Sequence, residues 1–166
     1  AVEYALSGLL SAQFPVGAFP QSWIDAVAAH PPQRASYPEY DWRTEQRVKE
    51  YWDLYTLNDD LAATVTPVLL EAHRVYGDEK YLQAVRRLGD FLIAAQMPDP
   101  QPAWAQQYNY QMHPAWARRF EPPAISGAES QGVVRVLMDI YRATGEARFL
   151  TPIKPCLDYL ERSQLP

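Results

Sequence analysis

The sequence predicts an all-α fold of stacked αα-hairpins forming an α/α toroid. Three observations carry the prediction. Apolar residues recur at helical spacing along most of the chain. Gly77 and Gly145 stand 68 residues apart, each where a helix C-cap glycine belongs. A stop of one pattern also follows three amphipathic runs: Ala12-Gln13-Phe14-Pro15, Ala95-Gln96-Met97-Pro98 and Ser163-Gln164-Leu165-Pro166.

The elements follow in order. Leu6, Leu9 and Leu10 lead into the first stop and predict a helix over 1–12. A weaker pattern predicts a helix over 43–54. Helices over 59–76 and 79–96 then form a hairpin around Gly77, with Val85, Leu88, Phe91 and Leu92 before the second stop. Helices over 127–144 and 147–163 repeat that hairpin around Gly145, with Ile153, Leu157 and Leu160 before the third. Gln96 and Gln164 are also 68 apart, so the two hairpins align over their length. The same offset pairs Asn58 with Ser126, each a good N-cap. Asn58, Asp59 and Asp60 are therefore expected on one rim with Ser126 and Glu129. The Gly turns would line one end of the stack, and the long loops 14–58 and 97–126 the other, where sites are expected.

Length and composition narrow the class. A chain of 166 residues suits a single domain over 1–166. It is 48% hydrophobic and 21% charged, a globular composition. A net charge of −5 without a basic cluster argues against nucleic acid. No apolar run reaches membrane-spanning length, and a monomer is expected. Cys156, the single cysteine, lies in an apolar helical pattern and reads as a core residue. His30, His73 and His113 are scattered, without zinc-site spacing. Because repeats bury their faces against neighbours, and both ends look cut, the chain is expected to be a segment of a longer one.

Three groups carry candidate chemistry. The stretch 104–130 is too long for a plain helix connection and too aromatic for disorder; it reads as an ordered functional loop. Its Trp104, Tyr108, Tyr110, Trp116 and Phe120 suit either stacking on sugar rings or a small loop core. Phe14 and Phe19 suit another wall. Asp59 and Asp60 suit either a hard cation such as Ca²⁺ or the positive end of a helix dipole. Arg118, Arg119 and Glu121 suit either capture of an acidic sugar or an internal Arg–Glu pair.

Four stretches together resemble the pectate lyases of polysaccharide lyase family 10. Ala12-Gln13-Phe14-Pro15-Val16-Gly17-Ala18-Phe19-Pro20-Gln21 is similar to the family's AQYPNGGWPQ, and Tyr55-Thr56-Leu57-Asn58-Asp59-Asp60 to its TFNDD. Trp104-Ala105-Gln106-Gln107-Tyr108-Asn109 resembles WCAQHD. Ala117-Arg118-Arg119-Phe120-Glu121-Pro122-Pro123-Ala124-Ile125-Ser126-Gly127 resembles ARAFEPPSLSG. The resemblance implies Ca²⁺-dependent β-elimination of polygalacturonate, an acidic polysaccharide, on a helical toroid. It implies Asp59 and Asp60 as Ca²⁺ ligands beside the substrate's carboxylate, and Arg118 as the group that takes the C5 proton. Asn58, Trp104, Gln107, Tyr108, Trp116, Arg119 and Glu121 are then expected to bind substrate, and the location to be extracellular or periplasmic. The chain departs from the family at Ala18-Phe19, at Tyr108 and Asn109, and in a longer stretch over 30–40. The family's upstream Asp-Asn motif and its Arg-Phe-Tyr type motif are absent. Two rivals stand beside this reading. One is a glycoside hydrolase using two of Asp59, Asp60, Glu121 and Glu129. The other is a helical-repeat module that binds acidic polysaccharide without turnover.

Overall fold

The computed structural model describes residues 1–25, 27–43 and 49–165. Its regular structure is helical, as expected: α1 Val2–Ser11, α2 Leu61–Tyr76, α3 Glu79–Ala95, α4 Gly127–Thr144 and α5 Ile153–Arg162. Two 3-10 turns, Tyr51–Asp53 and Ala147–Leu150, accompany them. A short antiparallel ribbon joins β1 Tyr55–Thr56 to β2 Gln107–Tyr108. No helix is long and apolar enough to cross a membrane, among the described residues.

Helix α3 is the centre of the core. It buries Tyr81, Leu82, Ala84, Val85, Leu88, Phe91, Leu92 and Ala95, more than a single helical stripe. It packs against α2 and α4, and α4 packs in turn against α2 and α5. Gly89 lets Phe149 lie directly on the α3 backbone, where a methyl group would collide with the ring. Cys156 is buried in this core, and burial pushes its thiol up to about 11.

The hairpin repeat is physical. Gly77 and Gly145 are both left-handed C-caps, at φ 66° and 71°. Their N–H groups close the last helical turn on the His73 and Tyr141 carbonyls, at 2.8 and 2.7 Å. The glutamine of the stop is an amide clamp. Gln13 Nε2 donates to the Gly17 carbonyl of its own loop (3.0 Å) and to that of Ala84 in the neighbouring hairpin (2.9 Å). Gln96 Nε2 donates likewise to Pro102 (2.9 Å) and Pro152 (2.8 Å). Positions 84 and 152 are again 68 apart, so each glutamine satisfies the equivalent carbonyl of the next hairpin.

Several expectations are corrected. The helix expected over 147–163 is broken: a 3-10 turn precedes Pro152, which lacks an N–H, and α5 starts at Ile153. The helix expected over 43–54 falls partly on 44–48, outside the described residues. Of the rest, only Tyr51–Asp53 is helical, as a single 3-10 turn, and Leu54 is extended. Helix α2 starts at Leu61 with Asp60 as its N-cap, because the Asn58 side chain is engaged elsewhere. Ser126 is the N-cap residue of α4, yet its hydroxyl donates to the Glu129 carboxylate and accepts no backbone N–H from the helix.

The loop over 97–126 is ordered by its own contacts. Besides β2 it forms bridges between Ala105 and Ile125 and between Tyr108 and Pro114. The Trp104 indole N–H donates to the Leu92 carbonyl of α3 at 2.8 Å, and the Trp104 backbone N–H to Ser130 Oγ of α4 at 3.1 Å. The other long loop meets it here: the N–H groups of Leu57 and Asn58 both donate to the Gln106 carbonyl, at 2.8 and 3.0 Å.

Candidate functional site

The ribbon delivers Asn58, Asp59 and Asp60 to the rim of the helix stack. After β1 the chain must turn into α2, and it does so with Asp59 and Asp60 both left-handed, at φ 55° and 56°. Aspartate tolerates this region because its short side chain bonds locally, but two in succession cost of order 1 kcal/mol each. Asn58 Oδ1 supports the turn by accepting the Asp59 N–H at 3.0 Å. Both aspartates end up exposed, while Asn58 beneath them is buried.

Glu121 is the floor of the site. Its side chain is 6% exposed, and its carboxylate accepts from Arg118 Nε (2.7 Å), the Arg118 backbone N–H (3.1 Å) and Asn58 Nδ2 (3.2 Å). Arg118 Nη2 also donates to Glu121 Oε1, which completes a two-pronged pair. The same Nη2 reaches outward to Asp59 Oδ1 at 3.0 Å, and Gln21 Nε2 donates to Asp59 Oδ2 at 3.1 Å. Arg118 thus spans a buried and an exposed carboxylate. Its hydrogen bonds to Glu121, and then to Asp59, hold the guanidinium well above its ordinary value. Arg118 in return keeps the Glu121 carboxyl below the usual carboxylate range, against the opposing effect of burial.

Other expected residues divide between rim and core. Asp60 lines a small crevice with Glu129 and Gly132, so the two hairpin starts do share one rim. Arg119 and Phe120 are exposed, and Arg118 lies over the Phe120 ring at 5.3 Å. Trp116 is half-buried; its indole N–H donates to the Arg118 carbonyl at 3.1 Å, and its ring lies 5.7 Å from Trp42. Trp104 and Tyr108 are corrected to core residues, both 0% exposed and closed off from any sugar. Tyr108 accepts the Ala105 N–H at 2.7 Å. Gln107 is equally buried and donates to Thr56 Oγ1 (2.8 Å) and the Tyr51 carbonyl (2.9 Å), locking the ribbon. Asn109 builds a turn, its side chain accepting the Gln111 and His113 N–H groups. Phe14 and Phe19 are corrected to core residues, equally buried, and Phe14 also borders a cleft.

Two features escaped the sequence reading. Gln21 holds the outer oxygen of Asp59, and its only signal was its place at the end of the first motif. One residue beyond it opens a cleft of about 320 Å³, walled by Trp23, Trp52 and Tyr110, whose residues come from three separate segments.

The rim's fitness for a cation is divided. Asp59 and Asp60 offer the hard oxygen donors Ca²⁺ takes, but Ca²⁺ needs roughly six to eight oxygens. No group of three or more His, Cys, Asp or Glu able to hold a metal occurs among the described residues. The pair fits in kind, and most of the shell would come from substrate and water.

The family model described as pectic acid lyase matches residues 1–166. No curated protein matches the chain. Among solved structures, the chain is similar to a mutant of a family 10 polysaccharide lyase from Cellvibrio cellulosa, in complex with trigalacturonic acid. The TM-score is 0.60 at 22% identity, covering 85% of this chain and 44% of that one. The chain therefore spans less than half the length of that structure, and the likeness is one of fold. With all of its residues matched, this chain belongs to the pectic acid lyase family.

Proposed function

We propose that this chain carries the catalytic rim of a Ca²⁺-dependent pectate lyase that cleaves polygalacturonate by β-elimination, as a monomer and outside the cytoplasm. The observation that carries the reading is the convergence of Arg118, Asp59 and Gln21 over a buried Glu121–Asn58 floor. Family membership supports it, as does the acidic trisaccharide bound to the similar lyase.

In the reaction the C5–H bond of a uronate breaks, its electron pair forms C4=C5, and the C4–O4 bond breaks as the leaving oxygen takes up a proton. Asp59 and Asp60 would hold the cation together with the uronate carboxylate. Bound there, Ca²⁺ supplies Lewis-acid stabilisation of charge developing at C5. Asp59 is the replaceable partner of Arg118, because it is exposed while Glu121 is buried. With Asp59 engaged by a cation, Arg118 would have one edge free for the substrate. Arg119 and Phe120, exposed beside it, offer a second cation and a stacking face.

In this reading Arg118 would meet C5. Its pairing with Glu121 favours a second reading of its role: a charged clamp on the uronate carboxylate, with the C5 proton leaving to another group. The hydrolase rival needs a carboxylic acid raised in pKa. Glu121, the one buried member of its four candidate carboxylates, is lowered instead. Mass analysis of the products tests the class of reaction. Fragments with an unsaturated, non-hydrated end support elimination; fragments carrying an added water at every cut overturn it. Polymer that stays intact yet bound assigns the chain to the binding module.

A further inference from the structure

The cleft beside Gln21 differs in charge from the rim it adjoins. The residues that line it include Phe14, Trp23, Trp52 and Tyr110 together with Asp25 and Asp53; no lysine, arginine or histidine lines it among the described residues. We propose that this cleft is a subsite for an uncharged pyranose ring, supplied by a methyl-esterified uronate within the polymer or by a neutral hexose. The proposal rests on the carbohydrate reading above and adds to it a ring that must not carry a free carboxylate.

Three arguments support it. The first is shape. Trp23 is 42% exposed, and its ring rests against Gly8 of α1, leaving indole surface open to the cleft. The C–H face of a pyranose is apolar and flat enough to cover such a ring, while its hydroxyls stay free for polar partners. A volume of about 320 Å³ is at the small end of ligand sites and suits one ring.

The second is rigidity. The Gln21 and Ser22 N–H groups donate to the Trp52 carbonyl at 2.9 and 3.2 Å. Tyr110 donates to the Asp53 carbonyl at 3.0 Å. These bonds pin all three wall segments together, so little ordering remains to be done on binding.

The third is charge. Carboxylates accept hydrogen bonds from sugar hydroxyls, and such bonds are the strong ones. The same two carboxylates oppose a uronate, whose own carboxylate would enter without a cation to balance it. Esterification removes that charge and keeps the ring. Gln21 links the two regions, since it bonds Asp59 through its side chain and holds the cleft wall through its backbone. A charged ring at Arg118 and an uncharged one in the cleft together select a partly esterified stretch of polymer.

Calorimetric binding to the intact chain tests this with three probes: trigalacturonate, its fully methyl-esterified form and a neutral galactose trimer. The chain is compared with Trp23→Ala and Asp25→Lys, both at exposed positions. The proposal predicts binding of an uncharged trimer, weakened roughly 3- to 10-fold by Trp23→Ala. Asp25→Lys should shift preference toward trigalacturonate by about 5-fold. Binding of the methyl ester alone identifies the polymer as the source, and equal binding of the neutral trimer identifies any uncharged hexose. The proposal is overturned if neither uncharged trimer binds, or if both substitutions leave all three affinities unchanged. Loss of trigalacturonate binding with uncharged trimers still bound would sink the lyase reading and keep the subsite.

Discussion

Replacing Glu121 by alanine removes the acceptor for four donors at once: the Arg118 backbone N–H, Nε and Nη2, and Asn58 Nδ2. Asn58 is 3% exposed, so water does not replace the lost partner; an orphaned buried donor costs about 1–3 kcal/mol. Breaking a fully buried ion pair costs about 3–5 kcal/mol. Arg118 is 35% exposed and retains Asp59, so its share falls to about 1 kcal/mol. The total is about 3 kcal/mol, which at this chain length lowers Tm by about 6–12 °C. Asp59→Ala removes the exposed arm of the same arginine and the exposed Gln21 contact, and should cost about 1 kcal/mol or less. Thermal melts followed by circular dichroism make the comparison. Equal melting temperatures for the two variants would refute the assignment of Glu121 as the buried floor. The pH dependence has a definite sign. Arg118 holds the folded Glu121 carboxyl below its ordinary value of 4.5, so the unfolded chain binds that proton more tightly. The contribution is therefore complete above about pH 4.5 and fades as pH falls through the lower folded value. The stability gap between the parent chain and Glu121→Gln should narrow on acidification and not widen.

Two further substitutions probe the scaffold. Gly17 sits at φ 101°, and a methyl group there would collide with the Arg87 carbonyl. Gly17→Ala should cost about 3 kcal/mol or prevent folding, whereas Gly77→Ala, at φ 66° in open space, should cost about 1 kcal/mol; urea midpoints separate them. Trp104→Ala should cost about 3–5 kcal/mol, because the indole is fully buried and its N–H satisfies the Leu92 carbonyl. Trp116→Ala, at a half-buried ring, should cost less in denaturant, and a reversed order would contradict the placement of these two rings.

The legibility of the sequence differed by scale. The hairpins could be read because their signals are local: an apolar period, a left-handed glycine and a glutamine stop. The break before α5 was also local, in Pro152, but the continuous apolar pattern around Phe149 and Ile153 masked it. The ribbon was not legible. Each strand is two residues long, and its pairing spans some fifty residues of chain, so no alternation marks it. The aromatics were ambiguous for the same reason. Nothing near Trp104 in sequence reveals that α3 offers a carbonyl to its indole, while Phe120 in the same loop is 75% exposed. At the site, Arg118 and Glu121 were found as one candidate pair and Asp59 in another, joined only by the family resemblance. The direction of the Glu121 carboxylate was not, because it depends on Asn58, 63 residues away.

The most direct measurement of the central claim is ultraviolet absorbance during incubation with polygalacturonate, with Ca²⁺ and then with excess chelator, for the parent chain and for Arg118→Ala. The account predicts a Ca²⁺-dependent rise from an unsaturated uronate in the parent and none in the variant, with folding of the variant checked by its melt. New reducing ends without that rise would contradict elimination, and an undiminished rise in Arg118→Ala would contradict the role given to the residue on which the site converges.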